Sequence, residues 1–477
     1  MNQTVMPKAF SRRQAIAGVA GAAALAGAPA VARTFNGKVR QKQPNILFIM
    51  ADDMGFADLS CYGRQEYQTP VLDRLAAEGV RFTHAYANSA VCTASRVALI
   101  TGRYQYRLPI GLQEPLGRQD IGLPPAVPTI ASLLRARGYA TSLIGKWHMG
   151  ALPKYGPLKS GYDEFWGLRG GGIDYYRHAF QGAHDLWDGT TEVAQAGYMT
   201  DLLADRTLLA LDRRKADGKP FFISLHFTAP HWPWEEPDAA GKAESDRIAA
   251  SRNPDAYFHY DGGSMATYAA MVGSLDANIG RILNRLAALG MAEDTIVVFT
   301  SDNGGERFSR TWPFTGKKTE LLEGGLRIPS IVRWPGVTAA GRTCAEQTML
   351  MDWLPTFLAA AGGAPDPHYP SDGIDLRPAL AGQALPERTL YWRFKNHDQK
   401  AVRRGRMKYL SIAGNEFLFD VVADPLERAN LKDRDPQTFA ALKAAFAQWN
   451  VQMLNDPNAP SYGFSGKELA DHFGIDN

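Results

Sequence analysis

Asp52 and Asp53 follow an apolar run at 45–50, and Asp302 and Asn303 follow a second such run at 295–300. Adjacent carboxylates repel each other and need a cation or strong hydrogen-bond donors beside them. A third carboxylate and an amide oxygen from the second run complete a hard, all-oxygen set suited to calcium, with magnesium as the other candidate. Each segment alone also reads as a local feature, Asp52 as a helix cap and Asp302-Asn303-Gly304 as a turn. Two such features, each at the end of a strand-like run, favour the metal reading.

Cys92 opens the string Cys92-Thr93-Ala94-Ser95-Arg96, which leads into an apolar run at 97–100. A cysteine at the mouth of a helix, with an arginine one turn on, sits in a positive field that favours an anion. Against this stands the ordinary role of a lone cysteine as a small buried hydrophobe. Three more clusters add positive charge and proton donors for an anionic substrate. They are Gly145-Lys146-Trp147-His148, Ala229-Pro230-His231-Trp232-Pro233, and Gly316-Lys317-Lys318 leading to Glu323 and Arg327.

Such scattered residues need a frame that gathers them. Apolar runs at 45–50, 139–144, 221–227, 295–300 and 328–334 read as buried strands. Helical patterns separate them, the clearest placing Tyr268, Met271, Leu275, Ile279, Ile282, Leu286 and Leu289 on one face. This alternation predicts an α/β fold, a mostly parallel central sheet sandwiched by helices, with ligands beyond the carboxyl ends of the strands. After Gly382 the character changes. Short strands at 390–394, 401–404, 407–412 and 416–419, with turns at Gly405 and Gly414, predict a small antiparallel sheet closed by a helix near 438–453. The expected division is therefore a catalytic domain over 44–382 and a C-terminal α+β subdomain over 383–477. The stretch 150–200, rich in Gly, Tyr and Trp, has little periodicity and is expected to form loops over the active face.

The strings PNILFIMADDMGFADLSCYG, CTASRVALITGRY, IGKWHMG, APHWP, SDNGG and KKTELLEGGLRIP occur in this order. Together they resemble the successive signatures of the type I, formylglycine-dependent sulfatases, which belong to the alkaline-phosphatase-like superfamily. The similarity runs from about residue 44 to 435 and includes FDVVADPLERANL. The segment GYDEFWGLRGGGIDYYRH is most similar to the arylsulfatase B-like branch. The resemblance implies a sulfuric ester hydrolase acting on aryl or carbohydrate sulfates. It implies that Cys92 is converted to formylglycine by a maturation enzyme, and that the hydrated aldehyde is the nucleophile. Arg96 and Lys146 would stabilise that diol. Asp52, Asp53, Asp302 and Asn303 would hold the cation, with the formylglycine at residue 92 and the sulfate completing its shell. His231 and Lys318 would bind sulfate and protonate the leaving alcohol, and His148 would help release sulfate and restore the aldehyde. Ala94 stands where the family most often has proline, which leaves the maturing enzyme open. The doublet Lys317-Lys318 leaves a one-residue ambiguity; counting back from Glu323 selects Lys318.

Residues 1–32 hold Lys8, Arg12 and Arg13 and no acidic side chain; removing those three from 52 basic residues leaves 49 against 49 acidic ones. The near-neutral balance argues against a nucleic-acid partner. Arg12-Arg13, an Ala/Gly-rich apolar run at 19–30 and Ala30-Val31-Ala32 resemble a twin-arginine signal peptide with its cleavage site. The run is too short and too weakly apolar for an integral membrane anchor. Export by the twin-arginine machinery to the periplasm is expected, with 33–43 as a flexible lead-in. Three widely spaced cysteines, Cys61, Cys92 and Cys344, make no disulfide framework. Two other functions compete with the sulfatase reading. One is a phosphonate or phosphate ester hydrolase of the same superfamily; the other is a non-enzymatic glycan-binding protein in which Cys92 stays a thiol.

Overall fold

The runs at 45–50, 139–144, 221–227 and 295–300 form the centre of a ten-stranded sheet in the computed structural model, which describes residues 43–112, 120–251 and 253–455. The expected signal peptide, nearly all of the lead-in and residues beyond 455 lie outside the described residues. From one edge the strand order is Arg342–Cys344, Val80–Phe82, Ser330–Arg333, Thr295–Ser301, Asn45–Ala51, Phe221–His226, Ala140–Gly145, Glu164–Gly167, Trp187–Asp188 and Thr191–Glu192. The five strands from Thr295–Ser301 to Glu164–Gly167 are parallel to one another. Ser330–Arg333 runs antiparallel beside them, so the sheet is mixed but mostly parallel.

Successive residues of a strand point to opposite faces, and the first strand feeds two cores in that way. Leu47, Ile49 and Ala51 pack on one side with Tyr268, Met271, Leu275 and Ile279 of helix Met265–Ala288. Ile46, Phe48 and Met50 pack on the other with Val97 and Ile100 of helix Cys92–Thr101 and with Leu354 and Phe357. Burial on both faces explains the unbroken apolar runs. The long helix starts where Ser264 accepts the Thr267 N–H, a side-chain cap that satisfies an otherwise unpaired donor.

A third core joins the C-terminal sheet to the rest. Strands Thr389–Phe394, Gln399–Arg404, Met407–Ile412 and Asn415–Asp420 pair antiparallel in sequence order. Their Leu390, Trp392, Leu410 and Leu418 cluster with Tyr86 and Ala98, and with Leu442, Phe446 and Trp449 of helix Pro436–Asn450. The segment 150–200 is less loop-like than expected. Glu164–Gly167, Trp187–Asp188 and Thr191–Glu192 extend the main sheet, and helix Met199–Asp217 begins at its end. Strands of two to four residues are too short to show a period-two pattern in sequence. Among the described residues no helix is long and apolar enough to cross a membrane.

Candidate active site

Register brings the site residues together. Ala51 lies beside Ser301, Met50 beside His226, and His226 beside Gly145. The next residues along, Asp52, Asp302 and Lys146, therefore emerge side by side at the carboxyl edge. Gly145 has φ 110°, and a Cβ there would collide with the His226 carbonyl, so only glycine lets the chain turn into Lys146 at this point. Asp53 adopts φ 60°, and its N–H donates to Asp302 Oδ1 at 3.2 Å.

Cys92 begins its helix directly above this edge. Its Sγ lies 3.5 Å from Asp52 Oδ1 and 3.6 Å from Asp53 Oδ1. Lys146 Nζ donates to both Asp52 oxygens, at 2.7 and 2.9 Å. Arg96 donates to Asp302 Oδ2 through Nε at 3.0 Å and Nη2 at 2.8 Å, and its Nη2 lies 3.3 Å from Asp52. Asn303 Nδ2 donates to Asp53 Oδ1 at 2.7 Å. Lys318 Nζ lies 2.6 Å from Asp53 Oδ2 and 3.5 Å from His231 Nε2, so Lys318 is the member of the lysine doublet that meets Asp53. His231 Nδ1 lies 2.6 Å from the Trp232 carbonyl, which leaves Nε2 as the ring nitrogen beside Asp53, at 3.4 Å. The Tyr175 hydroxyl donates to the His231 carbonyl at 2.9 Å.

His148 is also buried, close enough to Lys146, Arg96, His231 and Lys318 for their charges to act on it. Its N–H donates to the Arg169 carbonyl, and the following glycines lie against both histidines. A Cβ on Gly171 would collide with the His148 ring, and one on Gly172 would lie 3.3 Å from His231 Cε1. His226 was not among the expected site residues. Its Nδ1 lies 3.2 Å from Arg96 Nη1, and its Nε2 lies 2.8 Å from Ser224 Oγ. The sequence clue was a histidine two residues after a serine inside an apolar strand run.

Burial and charge compete throughout the cluster. Burial pushes Asp52 up to about 8 against the pull of Lys146. Burial also raises Asp53, but Lys318 and His231 outweigh it and hold that carboxyl below its ordinary range. Asp302 is likewise held down, by Arg96 and Lys146 against burial. Burial and the Asp302 charge push the Cys92 thiol well up, so the helix-mouth field does not prevail there. Burial lowers His231 to about 3 despite Asp53, and His148 falls well below its usual value from burial and then Lys146.

The residues fit a hard divalent cation. Asp52, Asp53, Cys92 and His231 each bring a potential ligand atom within 4.8 Å of the others. Asn303 Oδ1 is a buried acceptor with no hydrogen-bond donor among the described residues, the environment of an oxygen suited to coordinate a cation. Three carboxylates, Asp52, Asp53 and Asp302, face three cations, Arg96, Lys146 and Lys318. A dication added to that balanced set leaves an excess of positive charge, a site for an anion.

The sulfatase family model matches residues 44–364. The N-acetylgalactosamine-6-sulfatase of Canis lupus familiaris is 32% identical over 76% of this chain and 71% of its own length. Arylsulfatase A of Homo sapiens is 33% identical over 80% of this chain and 78% of its own. The solved structure of Ps i-CgsB superimposes with a TM-score of 0.79 at 28% identity, covering 88% of this chain and 95% of that one. The same protein has been solved in complex with k-i-k-neocarrahexaose. Fold, strand-edge site and these similarities agree: the chain belongs to the sulfatase family, within the alkaline-phosphatase-like superfamily, and is a sulfuric ester hydrolase of the arylsulfatase-like kind.

Proposed function

We propose that this enzyme cleaves aryl or carbohydrate sulfate esters with Cys92 in its formylglycine form and with calcium held by Asp52, Asp53, Asp302 and Asn303. The observation that carries the reading is the seat of Cys92 Sγ, 3.5 and 3.6 Å from two carboxylates that also meet Lys146 and Lys318. Once modified and hydrated, residue 92 supplies a geminal diol, whose second hydroxyl permits sulfate to leave by C–O cleavage. A cation held by these residues would supply charge that polarises the sulfate oxygens.

The remaining chemistry belongs to the chain's own side chains. Arg96 and Lys146, each bonded to carboxylates on the floor of the site, orient the oxygens of residue 92. Lys318 Nζ and His231 Nε2 stand together beside Asp53, where they hold sulfate. The bound anion opposes the effect of burial, so the His231 ring takes a proton only with substrate in place. Its Nε2–H, with Lys318 beside it, then protonates the departing alkoxide. His148 accepts a proton from the remaining hydroxyl of residue 92 as sulfate leaves. A carbohydrate sulfate is supported as substrate by the complex of the structural neighbour with k-i-k-neocarrahexaose. Arg12-Arg13 and Ala30-Val31-Ala32 support twin-arginine export to the periplasm, and CTASR supports a formylglycine-maturation enzyme as a transient partner.

Two measurements test this. Mass spectrometry of the tryptic peptide Phe82–Arg96 should find an aldehyde in place of the thiol in active protein. Matched nitrophenyl sulfate, phosphate and phosphonate esters should then give the highest kcat/KM for sulfate, with inorganic phosphate inhibiting. Full activity with an unmodified thiol, or a phosphonate or phosphate ester preferred over every sulfate tried, overturns the proposal.

A further inference from the structure

The loop carrying Lys318 is fastened along its length to the C-terminal sheet and to the turn that follows its last strand. Thr315 Oγ1 donates to the Leu426 carbonyl at 2.7 Å. The Glu323 N–H donates to Glu427 Oε2 at 2.6 Å, and Lys408 Nζ donates to Glu323 Oε1 at 3.0 Å. Between these anchors stands Gln399, the first residue of strand Gln399–Arg404. Its Nε2 donates to the Thr319 carbonyl at 2.8 Å, and its Oε1 accepts the Leu321 N–H at 2.8 Å. One buried amide thus uses a donor and an acceptor on two backbone groups of the same short turn.

That turn needs holding. Thr319 has φ 72°, a left-handed conformation that is costly for a β-branched residue and persists only where the surroundings over-determine it. Its N–H donates to the Ala90 carbonyl at 2.8 Å, and its carbonyl is the one that accepts from Gln399. The peptide groups on both sides of Thr319 are therefore fixed. The preceding residue is Lys318, whose own N–H donates to Gly305 at 2.9 Å and whose ammonium meets Asp53 and His231.

We propose that Gln399 is a positioning residue for Lys318: its side-chain amide, reaching from the C-terminal sheet, holds the strained Thr319 turn so that the Lys318 ammonium stays beside Asp53 and His231. This rests on the proposed role of Lys318 at the sulfate. Only a primary amide of this length provides both bonds. Glutamate keeps the acceptor and loses the donor; methionine loses both at similar volume.

The test is a double-mutant cycle on full-length, fully converted enzyme with nitrophenyl sulfate, combining Gln399→Met with Lys318→Ala. With Lys318 present, Gln399→Met should lower kcat/KM by about tenfold or more, chiefly in kcat. With Lys318 already removed, the same change should cost less than about twofold, because interacting sites are non-additive. Equal losses in both backgrounds overturn the proposal, as does no loss in either. Should Gln399→Met not fold, Gln399→Glu takes its place in the cycle with the same expected coupling. If Lys318→Ala is itself neutral while the wild type turns over sulfate esters, this inference falls and the sulfatase reading stands. If the wild type prefers another ester, that reading falls, and the cycle run on the preferred ester still decides the coupling.

Discussion

Lys146 Nζ lies within 2.9 Å of both oxygens of Asp52, and both side chains are fully buried. The pair is the floor on which Cys92 sits, since Asp52 Oδ1 also lies 3.5 Å from its sulfur. Two charges removed from water repay their desolvation only if well paired. Asp52 keeps a second partner in Arg96 at 3.3 Å, which is itself committed to Asp302.

Lys146→Met should therefore cost stability as well as catalysis. It leaves Asp52, which burial already pushes up to about 8, without its ammonium, so the carboxyl takes up a proton. The loss then falls below the about 3–5 kcal/mol of a buried pair broken with its charge left behind. Urea unfolding of metal-free protein should read that loss, and added calcium should restore part of it because a cation replaces the missing charge. A variant as stable as the wild type without metal would mean that Asp52 is held neutral rather than as an ion pair.

Gly171→Ala probes the glycine run over the histidines. Gly170 N–H donates to Asp185 Oδ2 at 2.7 Å, which anchors the loop, and a Cβ at 171 would collide with the His148 ring. The expected outcome is a displaced imidazole and a kcat lowered by up to about 100-fold, the scale of a 1 Å misplacement. Thermal unfolding should change little. A variant with wild-type kcat would show that the loop yields instead of His148.

How much of this was legible in sequence depends on the kind of information each feature needs. The strand runs were visible because both faces of the sheet are buried, so Asn45–Ala51 and Thr295–Ser301 are apolar at nearly every position. The pairing of Ala51 with Ser301 was not, because register depends on partners hundreds of residues away. The lysine doublet was open by one residue until the Asp53 contact singled out Lys318. His226 looked like a strand residue because it is one; its role depends on Arg96 arriving from another helix. Gln399 carried no signal at all. Its importance lies in meeting Thr319 and Leu321 across 80 and 78 positions of chain.

Acid stability should be steep, and His226 should account for part of it. Burial, with Arg96 adding to it, lowers its folded value to about 3 from the ordinary 6.5. The native state then binds fewer protons than the unfolded chain between those values. The contribution is fully present above pH 6.5 and is lost as pH falls from 6.5 toward 3. One such group adds roughly 1.4 kcal/mol per pH unit to the slope. Urea unfolding between pH 7 and pH 5 should give a shallower slope for His226→Asn, by about 0.7 of a proton on average and nearer one proton toward pH 5. An unchanged slope would mean that His226 titrates normally in the native protein.

His231→Ala addresses proton donation to the leaving alcohol. Nδ1 of this ring is turned to the Trp232 carbonyl and Nε2 stands beside Asp53 and Lys318, so one nitrogen alone is placed to serve the substrate. A phenol with electron-withdrawing groups leaves as a stable anion and gains little from a proton. A sugar alcohol is a far poorer leaving group, and general acid help is worth about 10²–10⁴-fold. The variant should therefore lose kcat/KM on a carbohydrate sulfate by a factor in that range and on nitrophenyl sulfate by much less. Because Lys318 lies 3.5 Å from the same nitrogen, some donation should survive through its ammonium. Combining the change with Lys318→Ala should then remove what remains on the poor leaving group. Equal losses on both substrates would assign His231 to binding the sulfate alone.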